Sequence, residues 1–346
     1  MLRSLLLTAV GCGAVLLSTA QARAAVLRVP RQYPTIQAAI DAASDGDRIR
    51  VSAGRYCGAV VSKRVTLSGV GRPRIVGCDT GPTVTTGTRV GFYLPGVKGM
   101  NPASGTRIRG FVFDGEGVSN ANLAPLSFGV FARFANDVSV TRNRFLGTVQ
   151  AITNTAGDRW IIENNRIERL TLLDCTKLCT GGDGIVIALA RGGIGAPGGD
   201  AAAINRPEDN LIARNVVEGT PPDGFALFSM AGVLLLSADH TTVLRNTLRL
   251  RDNPAADAVG QGILVSNSCC GLPTALLPGS RFTTVAFNDG RQSEVAVLVE
   301  GSGGTNTEGL VLLRNRGKVV VEGTEQLPLA RAARLVVAPI RAQPQL

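Results

Sequence analysis

The sequence has one His, one Trp and three Met, and aromatic residues make up only 4% of its 346 positions. That scarcity argues against a His or Met metal cage. Repeated long helices are disfavoured by a different quantity: 42 residues are Gly, each costing a helix interior about 1 kcal/mol relative to Ala. The glycines follow no strict three-residue period, which excludes collagen, and a hydrophobic content of 45% excludes a disordered chain. Past the first two dozen residues, no apolar run approaches the ~20 residues that a membrane helix requires.

Those first residues read as an export signal. Arg3 gives a positive start, Ser4 to Leu17 an apolar stretch, and Ala22-Arg23-Ala24 a small-x-small cleavage pattern. Residues 1–24 are therefore expected to be a signal peptide, with the mature chain starting near Ala25 in the periplasm or outside the cell. Cys12 sits too early in the apolar run to suit a lipoprotein. The six remaining Cys (57, 78, 175, 179, 269 and 270) favour disulfides in an exported chain, and their pairing is left open. A zinc site built from the last four is the alternative, although their spacing fits no usual finger or ribbon.

The net charge is +10, and only four of the 36 basic residues are Lys. Arginine forks suit the carboxylates or phosphates of acidic polymers; scattered, solvated Arg from a coding bias is the plainer reading. No basic stretch is interleaved with aromatics, so nucleic acid is not an expected partner.

A hexad recurs: apolar, two variable residues, Asn, one variable residue, then an apolar one. It appears around Asn143, Asn165, Asn215 and Asn246, with weaker copies at Asn288 and Asn315 that lose the last apolar position to Gly. The Asn spacings of 22, 50, 31, 42 and 27 read as one coil of roughly 20–25 residues with inserted loops, or occasionally two coils between recognisable Asn. A second element, Gly-apolar-x-apolar, recurs at Gly129, Gly184, Gly232 and Gly262. Asn tolerates left-handed backbone at a tight corner, and stacked Asn side chains can bond along it from coil to coil. Near the start, Thr35 can cap a short helix whose Ile36, Ala39, Ile40 and Ala43 share a face, covering the open end of the stack.

The segment Tyr33-Pro-Thr-Ile-Gln-Ala-Ala-Ile40, with Gly46-Asp47, Val51, Gly54-x-Tyr56 and Leu67-x-Gly69-x-Gly71, resembles the amino-terminal cap and first coils of the right-handed parallel β-helix superfamily, which includes pectate lyases and pectin esterases. The resemblance spans about residues 26–325. It implies an all-β, single-domain right-handed parallel β-helix with a short N-terminal capping helix over residues 25–325, followed by a tail at 326–346. In that frame the 21 residues from Cys57 to Cys78 are one coil, and their Cα atoms fall about 5 Å apart on adjacent coils, within disulfide range.

The fold carries many activities, and no enzyme branch matches. The chain lacks the Gly-His-Gly of polygalacturonases, the Gly-x-Val-Asp-Phe and Gln-Asp contexts of pectin esterases, the acidic cluster with a basic residue of pectate lyases, and the Asp-Pro-His-Asp of alginate epimerases. Asp183 and Asp223 each precede a Gly before an apolar run, and stacked coils would align such carboxylates for sugar hydrolysis or calcium binding; Asp-Gly is also an ordinary turn. His240 follows Asp239, which would orient it as a base; the plainer reading is a solvated turn residue. These three are the candidate catalytic residues. Arg133, Arg191, Asp257 and Asn267 are the candidate glycan-binding ones, and no resident cofactor is expected beyond the calcium option.

Long insertions flank the Gly-apolar strands and are expected to wall a trough. If Ile185/Ile187, Val233/Leu235 and Ile263/Val265 point inward, the trough floor is Val186/Ala188, Leu234/Leu236 and Leu264/Ser266, an aliphatic surface where a sugar-cleaving groove shows carboxylates, Arg and aromatics. The leading reading is an exported, non-catalytic β-helix that associates with an acidic cell-envelope or extracellular polysaccharide. A polysaccharide lyase, hydrolase or epimerase, and a structural or partner-binding surface protein, are the alternatives.

Overall fold

Arg48-Ile49-Arg50-Val51 alternates exposed and buried positions, so a few residues make one strand that turns one or two side chains inward. The chain repeats this unit three times per coil. The computed structural model describes residues 24–84, 87–173, 182–191, 204–221, 230–253, 259–266, 279–300 and 308–322. Residues 1–23 of the expected signal peptide 1–24, the tail 326–346, Cys175, Cys179, Cys269 and Cys270 lie outside them.

Three parallel sheets form the walls of the right-handed parallel β-helix. A ten-stranded sheet runs from Val26–Val29 through Arg48–Val51, Thr66–Gly69 and Arg107–Arg109 to Val311–Leu313. A seven-stranded sheet runs from Arg55–Cys57 to Thr247–Leu250, and a nine-stranded sheet from Ala59–Val60 to Val319–Val321. Register carries like onto like. Ile49, Leu67, Ile108, Val140, Ile162, Ile212, Val243 and Val285 form one continuous buried row in the ten-stranded sheet. Ile75, Phe113, Phe145, Ile167, Val217 and Leu248 form its counterpart in the seven-stranded sheet, with the rings of Phe113 and Phe145 stacked 4.6 Å apart. Each such side chain contributes about 1.5–3 kcal/mol by burial, and only against its neighbours in the stack, so no coil is stable alone.

The recurrent glycines have a packing cause. A Cβ on Gly129 would lie 2.4 Å from the Phe145 ring, and one on Gly184 would lie 2.6 Å from Val217. At these positions the nine-stranded sheet approaches the seven-stranded one too closely for any side chain.

The asparagines form the expected ladder. Asn143, Asn165, Asn215, Asn246 and Asn288 each donate Nδ2 to the Oδ1 of the next Asn, ending at Asn315, over 2.9–3.2 Å. Each Oδ1 also accepts the preceding Asn's backbone N–H. Every consecutive pair thus sits on adjacent coils, and the long spacings are insertions, never skipped coils. The left-handed backbone, however, is one residue earlier than expected: Arg142, Asn164, Arg214, Arg245, Phe287 and Arg314 have φ of 49–57°. The ladder requires the Asn side chain to lie along the stack axis, so the bend falls to the preceding, outward-facing residue.

Thr35 Oγ1 accepts the Ala38 N–H at 3.0 Å and caps the helix Ile36–Ala42, which buries Ile36, Ala39 and Ile40 over the first coil. Cys57 and Cys78 are joined by a disulfide with Cα atoms 5.5 Å apart. No helix among the described residues is long and apolar enough to cross a membrane.

Candidate functional site

In the nine-stranded sheet Ile185, Ile187, Val233, Leu235, Ile263 and Val265 point inward and are fully buried, as the register argument requires. The outward row opposite them is largely covered: Val186, Leu236, Leu264 and Ser266 are buried, and Ala188 and Leu234 are half-buried. Toward the N-terminus the same outward columns change character. Register places Tyr93, Phe131, Thr153 and Val186 in one column, and Phe128, Gln150 and Asp183 in another.

Asp183 opens the strand Asp183–Ala188 and is 5% exposed. Gln150 Nε2 donates to its Oδ2 at 3.4 Å, while Gln150 Oε1 accepts from Thr153 Oγ1 at 2.6 Å. Burial pushes the carboxyl up to about 7; the Ala231 N–H and the Gln150 amide oppose this only in part. This node is a proton-holding group under cover.

The accessible part of this face lies at the other end of the strands. Tyr93 and Phe131 are neighbours in register with ring centroids 5.9 Å apart, and the Arg133 guanidinium lies 5.7 Å from the Phe131 centroid. Tyr93 and Arg133 line a cleft of about 410 Å³ with Pro95, Val97, Met100 and Pro102. Its wall is built locally. Asn101 Nδ2 donates to the carbonyls of Leu94 and Arg133 at 3.3 and 2.7 Å, and its Oδ1 accepts the Ala103 N–H, tying the loop to two adjacent coils. Met100 at the rim is 70% exposed. The cleft therefore offers an aromatic face, a guanidinium and an apolar rim, and among the described residues no carboxylate lines it.

The other expected residues do not converge here. His240 is an exposed corner residue with φ 47°, its ring stacked on Phe282 at 4.9 Å. It lies before a strand of the ten-stranded sheet, past the far end of the nine-stranded strands that Asp183 begins. Asp239 does not orient it: that buried carboxylate is bound by Arg206 and by Arg281, the latter at 2.8 Å. Arg191 lies in a short antiparallel pair, Ala190–Arg191 with Ile204–Asn205. Asp223, Asp257 and Asn267 lie outside the described residues. Among those described, no group of three His, Cys, Asp or Glu could hold a metal ion.

The sequence reading missed Tyr93, Gln150 and Thr153. The signal was present: adding the 22-residue coil between Asn143 and Asn165 to Phe128 and Phe131 lands on Gln150 and Thr153.

No family model and no curated protein sequence matches the chain. Solved structures do. The surface adhesin PfbA of Streptococcus pneumoniae matches with a TM-score of 0.53 at 14% identity, over 84% of this chain and 77% of that one. An alginate lyase from Paenibacillus sp. strain FPU-7 matches at 0.46 and 14%, over 86% and 98%, and carrot pectin methylesterase at 0.38 and 12%, over 89% and 85%. At these identities the likeness to the adhesin is one of fold.

Proposed function

We propose that the protein is an exported β-helix that associates with an acidic cell-envelope or extracellular polysaccharide and does not cleave it. The observation that carries this reading is that Tyr93 and Arg133 line one cleft to which no described residue contributes a carboxylate. A pyranose ring packs its C–H face on an aromatic side chain, and a uronate carboxylate takes the guanidinium fork in a charge-assisted bond. Hydrolysis of a glycosidic bond most often draws on a pair of carboxyl groups, and none lies among the cleft's described lining residues.

The test is binding of the full chain to immobilised polygalacturonate and alginate, with dextran as the neutral control. Acidic polymers should be preferred, and Tyr93→Ala and Arg133→Gln should each weaken binding several-fold. Equal binding to dextran overturns the reading.

One observation favours a second reading, a lyase or hydrolase: the Asp183 carboxyl holds its proton up to about 7, which suits a general acid. Unsaturated-product absorbance and reducing-end assays on both polymers decide it. Turnover by wild type that Asp183→Ala abolishes would establish the enzyme.

A further inference from the structure

Two arginine-bearing walls of the helix treat their charge differently. On the seven-stranded sheet the guanidiniums are neutralised: from coil to coil Arg74 pairs with Asp114 at 3.0 Å, Arg144 with Glu168 and Arg249 with Glu218 at 2.6 Å, and Arg166 pairs with Glu168 along its own strand. On the N-terminal part of the ten-stranded sheet they are not. Arg28 and Arg50, then Ser68 and Arg109, form one outward column; Arg48, Thr66 and Arg107 form the column beside it. All five arginines are exposed. None joins an ion pair among the described residues; the one side-chain bond in the set runs from Arg109 Nε to Ser68 Oγ at 3.2 Å. Further along this sheet the pattern stops: outward positions become Ser139, Ile161, Leu211 and Thr242, and Glu163 appears, already paired with Arg214.

The strip continues round the corner. Gly69 and Gly110 follow Ser68 and Arg109 directly, and a Cβ on Gly69 would lie 2.4 Å from the Gly110 carbonyl. Where Gly69 and Gly110 present no side chains, the corner forms one side of a trough of about 560 Å³ together with the exposed, left-handed Arg72 and Arg142; its far side is the already neutralised set Arg144, Arg166 and Glu168. Neither Arg72 nor Arg142 makes an ion pair among the described residues.

We propose that this strip and its trough are a second binding face for an acidic polysaccharide, separate from the Tyr93–Arg133 cleft, so that one molecule bridges two polymer chains. The inference rests on the proposed glycan association for its ligand class, but on different residues and a different wall of the helix. Charge complementarity selects a polyanion. Strand spacing sets the guanidiniums of a column about 5 or 10 Å apart along the stack, a rigid, regular array suited to a chain that carries one anion per sugar. The interleaved, half-buried Thr66 offers a hydroxyl to a sugar, while the buried Ser68 holds Arg109 in place, and no cluster of large apolar side chains interrupts the columns to act as a membrane wedge. Two sites on one rigid body give avidity and cross-linking without any further contact.

The experiment uses the full chain, fluorescent polygalacturonate and three proteins: wild type, a strip variant (Arg50→Gln, Arg107→Gln, Arg109→Gln) and a cleft variant (Tyr93→Ala, Arg133→Gln). Binding is read across a salt series, and cross-linking by sedimentation of polymer. The altered strip arginines are exposed, so the strip variant should remain folded, which far-ultraviolet circular dichroism checks. Wild type should sediment the polymer. The strip variant should bind about tenfold more weakly or worse, with a shallower salt dependence, since several charge-assisted contacts are removed together; it should not sediment polymer. Affinity, salt slope and cross-linking equal to wild type in the strip variant overturn the proposal. Loss of all binding in the cleft variant alone also overturns it, while leaving the cleft reading intact. A cleft variant unchanged in binding and in sedimentation removes the cleft reading and overturns the bridging with it, leaving the strip as a binding face alone. Anionic phosphatidylglycerol vesicles form a parallel arm: strip-dependent binding to vesicles but not to polygalacturonate assigns the face to a membrane and overturns the glycan.

Discussion

Asp47 Oδ1 accepts the backbone N–H of Ala25 at 2.6 Å, joining the first residue before the opening strand to the turn that starts the next one. The same carboxylate accepts the Ser44 N–H through Oδ2 at 2.8 Å and is 8% exposed. Ala25 is also where the expected signal cleavage places a new N-terminus. A chain that begins there brings its α-ammonium to a carboxylate already positioned to receive it, and charge-assisted bonds are about twice as strong as neutral ones. Asp47→Ala should therefore cost about 2–3 kcal/mol in a chain beginning at Ala25, and about 1–2 kcal/mol in one carrying an extra residue ahead of it. Urea unfolding of the four proteins checks this; equal losses in both backgrounds would show that the cleaved terminus gains nothing from Asp47.

The Asn ladder sets a second expectation. Asn215 donates to Asn246 Oδ1 and to the Ile162 carbonyl, and accepts from both the backbone and the side chain of Asn165. Asn215→Ala strands the Asn165 donors in the interior, for a loss of about 3 kcal/mol. Asn215→Asp keeps the shape but presents an acceptor to the Asn246 Oδ1 and the Ile162 carbonyl, and should be at least as damaging at neutral pH. Chemical denaturation measures both.

Asp183 gives stability a pH dependence of defined sign. Its carboxyl titrates at about 7 in the folded chain against an ordinary 3.8, so between roughly pH 4 and 7 the folded state holds a proton that the unfolded state has lost. Stability from this group is complete below pH 4 and declines as pH rises through 7, by about 2–4 kcal/mol. Asp183→Asn should remove that decline, so that wild type and variant differ more at pH 8 than at pH 5. Parallel slopes would place the titration elsewhere.

Asp239 and His240 are adjacent in sequence and should respond in opposite ways. Asp239 is buried against Arg206 and Arg281, and burial pulls the Arg206 guanidinium below its ordinary value while Asp239 opposes that shift. Asp239→Asn leaves a desolvated guanidinium underpaired and should cost about 3 kcal/mol or more. His240→Ala removes one exposed ring from Phe282 and should cost less than about 1 kcal/mol, with polygalacturonate binding unchanged. Loss of binding or turnover in His240→Ala would give this residue a role that its position does not suggest.

The repeat period marked a stack of parallel coils in the sequence, and the resemblance of the first coils to a known superfamily implied its right-handed form. The Asn hexads mark coil corners because each buried amide must bond to its counterpart one coil away, and that requirement recurs wherever the sequence repeats it. The Thr35 cap and the Cys57–Cys78 distance were legible for the same reason: both depend on local spacing or on one coil length. The candidate site was less legible. Asp183 and Arg133 stood out individually, but Tyr93 joins Arg133 only through the lateral pairing of two coils, and Gln150 shields Asp183 only because Phe128, Gln150 and Asp183 share a register column. The aliphatic floor was read correctly as outward, yet its burial could not be seen from alternation, which fixes the direction of a side chain and not what lies beyond it. The +10 charge shows the division most plainly. The sequence determined how many arginines there are; the stack decided which of them face acids on the next coil and which, at Arg28, Arg48, Arg50, Arg107 and Arg109, face Val26, Ser, Thr or one another, because neutralisation depends on lateral register between strands far apart in the chain.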